Sequence, residues 1–233
     1  SKYILHLIDI KTHLIMIYVF GGIKGGVGKT TLCLNFLNYL SATKQRDVLL
    51  VDADDQETAT YFTTWRNSTL DGNIGYTAIQ LSGEAVRMQV PSLKKKYDDI
   101  IIDTGGRDTM SQRAALAIAD IYLVPFYPRS FDFWTITKVK HLVDEIRVIN
   151  PGLKVFSFLN RADLRSADNR DTADALKEIE GINFLDNPIL NRKCFSNASG
   201  VGLSVFEIAN RDEKAISELT GLFDQLIEEH ANA

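Results

Sequence analysis

The chain has 233 residues, 45% of them hydrophobic and 24% charged, with a formal net charge of -4. Such a length and apolar fraction suit one compact α/β domain with a sizeable core, and the acidic balance excludes a surface built throughout for nucleic acid while permitting a local basic patch. Cys33 and Cys194 stand far apart with no CxxC pair or His/Cys cluster, which argues against a disulfide framework or structural zinc and suits a reducing cytoplasm.

Residues Ser1 to Ile15 are apolar in places but interrupted by Lys2, His6, Asp9, Lys11 and His13, so they are neither a transmembrane span nor a secretory signal. They read as an N-terminal extension, or as an extra edge element packed on a single domain over residues 16–233. From Met16 onward, short β-branched runs alternate with stretches of helical period. This is the pattern of a doubly wound, mainly parallel twisted sheet with helices on both faces. Strands are expected at Ile17–Phe20, Val48–Val51, Ile100–Ile102, Ile121–Val124 and Val155–Leu159, with weaker ones at Tyr76–Leu81 and Ile182–Phe184. Helices are expected at Thr30–Ala42, Thr58–Arg66, Glu84–Tyr97, Ser111–Ala119, Phe131–Ile149, Thr172–Ile179 and Glu213–His230. Ligands of such sheets bind beyond the carboxyl ends of the strands.

The first strand runs into Lys24, Gly25, Gly26, Val27, Gly28, Lys29, Thr30 and Thr31, followed by a helical pattern. Glycines let successive backbone N–H groups turn toward an anion, and the helix end adds unpaired N–H groups and a positive dipole. Lys29 then reaches the β- and γ-phosphates, the Thr30 hydroxyl joins a Mg²⁺ shell, and Thr31 faces the α-phosphate. The generic phosphate loop has glycine at position 23, where this chain has Ile23. The second strand ends in Asp52, Ala53, Asp54, Asp55 and Gln56, with Asp52 and Asp54 on one face of an extended chain; capping of the next helix is the plainer reading of both. The third delivers Asp103, then Thr104, Gly105 and Gly106: an acid able to hold Mg²⁺ through water and a glycine pair free to move when the γ-phosphate leaves.

KGGVGKTT resembles the deviant Walker A sequence of the ParA/MinD family of ATPases, and the likeness extends from about Met16 to the end. It implies that Lys24 crosses a nucleotide-sandwich dimer to the partner's phosphates, that Asp54 orients the attacking water, and that Asp52 supports the magnesium shell. Asp55 stands where the family's DxDPQ box has proline. The resemblance further implies that Asn160, after the strand at Val155–Leu159, meets the adenine edge, with Pro188 on the other side of the base; a turn-forming Asn and Pro would look the same. The 125–133 loop, Trp65-Arg66 and the late Arg192 to Glu207 run are similar to small ParF-like partition ATPases, and no separate DNA-reading domain is expected ahead of the core.

The implied function is an ATP hydrolase whose ATP-dependent homodimer positions plasmid, chromosome or other large cargo on nonspecific nucleoid DNA in the cytoplasm, stimulated by a small adaptor. Arg161, Arg165 and Arg192 are the first DNA-contact candidates, with Arg170, Lys193 and Lys94 to Lys96 behind them. Alternatives are a MinD-like membrane-associated ATPase, a metabolic ATP-dependent enzyme of the same superfamily, and a nonenzymatic nucleotide switch. The membrane reading wants a basic amphipathic C-terminal helix, whereas Ile216, Leu219, Leu222, Phe223, Leu226 and Ile227 are flanked by Glu218, Asp224, Glu228 and Glu229. That stripe is expected to pack on the core, with no stable membrane insertion. An iron–sulfur relative would need cysteines after the switch strands, and none stands there.

Overall fold

A computed structural model describes residues 15–130 and 132–231. The expected extension up to Leu14, and Phe131 at the start of an expected helix, lie outside the described residues.

Seven parallel strands form one sheet in the order β3-β2-β4-β1-β5-β6-β7: β1 (Met16–Phe20), β2 (Val48–Asp52), β3 (Thr77–Gln80), β4 (Asp99–Asp103), β5 (Ile121–Phe126), β6 (Lys154–Ala162) and β7 (Asn183–Phe184). A short β8 (Ile189–Leu190) pairs with the end of β6, Asn160 opposite Ile189. The chain builds one side of β1 with β2 to β4 and the other with β5 onward, so the loop after β1 occupies the place where the winding reverses.

Strand residues alternate between two cores, as period-2 side chains buried on both faces must. Tyr18, Phe20 and Leu50 face one cluster, together with Leu32, Phe36, Leu219 and Phe223. Val19, Leu49 and Val51 face the other, with Val86, Ala115, Val139 and Leu176. The first cluster is covered by α1 (Lys29–Asn38), α2 (Thr58–Thr69), α7 (Lys193–Ser199) and α8 (Glu213–Ala231), the second by α3 (Glu84–Leu93), α4 (Met110–Leu116), α5 (Phe133–Arg147) and α6 (Ala167–Lys177). The α8 stripe Leu219, Leu222, Phe223 and Leu226 is fully buried. Among the described residues no helix is long and apolar enough to cross a membrane.

Element ends differ from expectation for local reasons. The α5 helix starts at Phe133 because Asp132 accepts the Thr135 N–H, and α6 starts at Ala167 because Ser166 accepts the Asp168 N–H; both are side-chain N-caps. After Pro91 the α3 helix tightens into a 3-10 turn at Lys94–Lys96. β8 and α7 are additions that the sequence reading does not contain.

Candidate nucleotide site

Three strand ends meet. Phe20 of β1 and Asp52 of β2 both lie opposite Asp103 of β4, and the chain stays stitched past them by Thr104 N–H to Phe20 O at 3.0 Å and Ala53 N–H to Asp103 O at 2.9 Å. The residues after β1, β2 and β4 therefore share one crevice.

The loop after β1 passes into α1 through Gly28, whose φ of 88° is left-handed and whose place as N-cap carries no side-chain cap. No cap side chain therefore takes the first N–H groups of α1. Asn160 Nδ2 donates to Val27 O at 2.7 Å, and Arg161 Nη1 donates to Gly26 O at 2.9 Å. In a trans peptide the N–H points opposite the C=O. Tying those two carbonyls to β6 consequently turns the Val27 and Gly28 N–H groups toward the crevice. A β-carbon on Gly28 would run into the Asn160 side chain, so glycine is required both by φ and by this clamp.

Lys29 is 6% exposed and donates from Nζ to the Lys24 carbonyl at 3.1 Å. Burial lowers its pKa, against the opposing charges of Asp103 and Asp54. Thr30 and Thr31 are half-buried behind it. The Lys24 ammonium lies at the loop mouth, 2.8 Å from Asp132 Oδ2.

The three carboxylates differ. Asp103 is fully buried, and neither of its carboxylate oxygens has a hydrogen-bond partner. Burial raises its pKa to about 8, reinforced by Asp52 and Asp54 and opposed by Thr30 and Lys29. An orphaned buried acid beside a threonine hydroxyl fits a hydrated divalent cation, which supplies the missing charge and hydrogen bonds. Among the described residues no three or more His, Cys, Asp or Glu side chains are placed to hold one metal ion together, so such an ion would take the rest of its shell from water and phosphate. Asp52, expected at the magnesium shell, has both oxygens committed: Oδ2 accepts the Thr60 N–H and hydroxyl at 2.8 and 2.7 Å, and Oδ1 accepts the Asp54 N–H at 3.2 Å. It holds the first turn of α2, and a metal would have to displace those bonds. Asp54 is half-exposed, with Oδ1 accepting the Gln56 N–H at 3.1 Å.

Gly105 and Gly106 couple this corner to the phosphate loop. A β-carbon on Gly106 would stand 2.7 Å from the Gly25 Cα, and one on Gly105 3.0 Å from Asp54 Oδ1. Gln112 of α4 was not singled out in the sequence. It is fully buried, and with its amide turned to put the nitrogen toward them it can donate to Gly22 O at 3.0 Å and Gly105 O at 3.2 Å. Flanked by Ser111 and Arg113, it carries no local signal that sets it apart.

Beside Thr31 opens a cavity of about 500 Å³, lined by Gly28, Thr31, Asn160, Arg161, Leu190 to Lys193 and Phe195. Its size suits a nucleoside. Asn160 reaches it, but Pro188 does not: pairing of β8 with β6 places Leu190 and the residues after it at the wall, and Pro188 lies exposed ahead of them. Of the basic candidates, Arg161 and Arg165 are exposed, whereas Arg192 is paired with Glu218 and Asp212 and mostly buried. Arg192 thereby fastens α7 to α8, and its charge is spent inside the protein. Lys94 is likewise paired, with Asp120.

Residues 18–205 match the family model "CobQ/CobB/MinD/ParA nucleotide binding domain", and the chain belongs to that family. It is 27% identical to maintenance of carboxysome distribution protein A of Halothiobacillus neapolitanus over 88% of this chain and 93% of that one. Its fold is that of apo McdA of Cyanothece, with a TM-score of 0.76 at 19% identity over 91% of this chain and all of that one. It is also that of cobyrinic acid a,c-diamide synthase from Mycobacterium smegmatis with bound ATP analog and magnesium, with a TM-score of 0.73 at 20% identity over 92% and 94%. The chain thus carries a nucleotide-binding domain of the CobQ/CobB/MinD/ParA family.

Proposed function

We propose that residues 16–233 form a single ATPase domain that binds ATP and Mg²⁺, dimerises in that state, and hydrolyses ATP to ADP and phosphate to time the positioning of a plasmid, chromosome or other large cargo. The observation that carries this reading is the pairing of a two-lysine phosphate loop with the orphaned, buried Asp103 one strand away. Lys29 and the N–H groups after Gly25 hold the phosphates. Thr30 and Asp103 would hold the magnesium ion, whose charge when bound offsets that on the phosphoryl oxygens. Asp54, half-exposed beside Gly105, orients the attacking water. Lys24 enters the partner's site and neutralises charge there, as an arginine finger does.

Asn160, Leu190 and Phe195 border the base. Arg161 and Arg165 lead the DNA contacts, doubled in the dimer, so that an acidic protein binds nucleoid DNA only in its ATP form. A cytoplasmic, nucleoid-associated protein stimulated by a small adaptor follows from the same reading. A metabolic ATP-dependent role has a fold neighbour at 20% identity in its favour, whereas a sequence relative at 27% identity over 93% of its length is a distribution protein. Phosphate release from Mg-ATP by purified protein, together with sedimentation in ATP and in ADP, tests the proposal. No release and no ATP-dependent dimer would overturn it.

A further inference from the structure

The start of α5 is bolted to the phosphate loop. Asp132 Oδ1 caps the helix through the Thr135 N–H at 2.7 Å and hydroxyl at 2.8 Å, leaving Oδ2 for the Lys24 ammonium at 2.8 Å. Lys24 is the largest influence holding the Asp132 carboxyl at about 2, so that carboxylate stays charged throughout the physiological range. The next two residues are Phe133 and Trp134, 71% and 74% exposed. The large aromatics of the flanking strands are buried by contrast: Phe126 and Tyr122 on β5, Phe156 and Phe158 on β6. Two adjacent aromatics held in water by a fully satisfied helix cap are not there to complete the core.

We propose that Phe133 and Trp134 are the apolar contact of the ATP-state homodimer, a second copy of this chain being the surface that covers them. This rests on the reading of Lys24 given above. If the Lys24 ammonium enters the partner subunit, a helix turn one hydrogen bond away from it lies at the same two-fold interface, and a patch on a two-fold interface is presented by both subunits. Aromatic side chains next to a desolvated charge are where binding energy concentrates in interfaces. The Asp132 cap fixes the direction of the turn before binding, which lowers the ordering cost.

The experiment uses the full chain with Mg²⁺ and a slowly hydrolysed ATP analogue. Trp134→Ala, and separately Phe133→Ala, leave Asp132 and its cap in place. Each should raise the dimer dissociation constant at least tenfold by sedimentation, with binding of a fluorescent nucleotide to the monomer unchanged. The chain has 2 tryptophans, so Trp65→Phe makes Trp134 the sole reporter, and its emission should shift to the blue on dimerisation. If wild type dimerises while both alanine variants dimerise as tightly and the emission stays put, this inference is overturned and the dimer reading stands. If wild type does not dimerise with the analogue, both fall together. A blue shift produced by duplex DNA or by anionic phospholipid vesicles, without one on dimerisation, assigns the patch to that partner and overturns the second copy as its occupant.

Discussion

Asp52 Oδ2 takes both the N–H and the hydroxyl of Thr60, whereas Asp54, two residues on, is left half-exposed beside Gly105. The two acids of one motif are thereby divided between holding the backbone and facing the crevice. Asp54→Ala should keep nucleotide binding, because Lys29 and Thr30 are untouched, and should lose turnover by about a hundredfold or more, trapping the ATP dimer. Asp52→Ala should instead lower stability by about 1 to 2 kcal/mol through loss of the α2 anchor. Single-turnover phosphate release and urea unfolding of the two variants separate the roles; near wild-type turnover in Asp54→Ala would sink its assignment.

Lys24→Gln should bind nucleotide with near wild-type affinity but fail to form the ATP dimer and, with it, the DNA complex. The long amide keeps the packing of the loop mouth and removes only the charge. Light scattering with Mg-ATP is the check, and normal dimers would refute the crossing role.

DNA affinity should fall in Arg161→Glu and Arg165→Glu, each lowering the slope of log affinity against log salt by about one unit per lost phosphate contact. Arg192→Glu should behave differently. With Glu218 and Asp212 left facing a third acid, it should unfold more easily before DNA enters the question. Filter binding to nonspecific duplex at several salt concentrations, alongside thermal melts, reads both effects.

The Arg66 guanidinium, 3% exposed, bonds both Glu207 oxygens, at 2.8 and 2.6 Å, and ties α2 to the segment after α7. Arg66→Ala should cost about 3 kcal/mol, most of it from the carboxylate left behind. Burial by itself would raise the Glu207 pKa, but the Arg66 and Ser204 hydrogen bonds outweigh it and the net direction is down. Since the folded value lies below the unfolded one, this stabilisation is complete above the ordinary value of 4.5 and is lost as pH falls through the folded value. Glu207→Gln should therefore flatten the acid limb of stability below the ordinary value of 4.5; an unchanged limb in urea titrations would remove Glu207 from the account.

Strand after strand, the sequence by itself determined the parallel sheet, because β-branched runs buried on both faces leave a period that needs no knowledge of the partner strand. It also laid out the loop between β1 and α1, whose conformation is local: glycine φ, helix start and lysine lie within eight consecutive residues. Tertiary structure decided what local pattern cannot encode. Asp52 and Asp103 look alike as acids at strand ends, and only their surroundings make one a backbone anchor and the other an unpartnered buried carboxyl. The cavity beside Thr31 needed β8 to pair with β6 before Leu190 could share a wall with Asn160, and two-residue strands carry no periodic signal. Arg192 read as a free surface cation until α8 brought Glu218 to it from 26 residues away, and the partner of Lys24 lies 108 residues along the chain. Such pairs are fixed by packing of whole elements, in which a side chain's neighbours follow from the path of the sheet and not from its own place in the sequence.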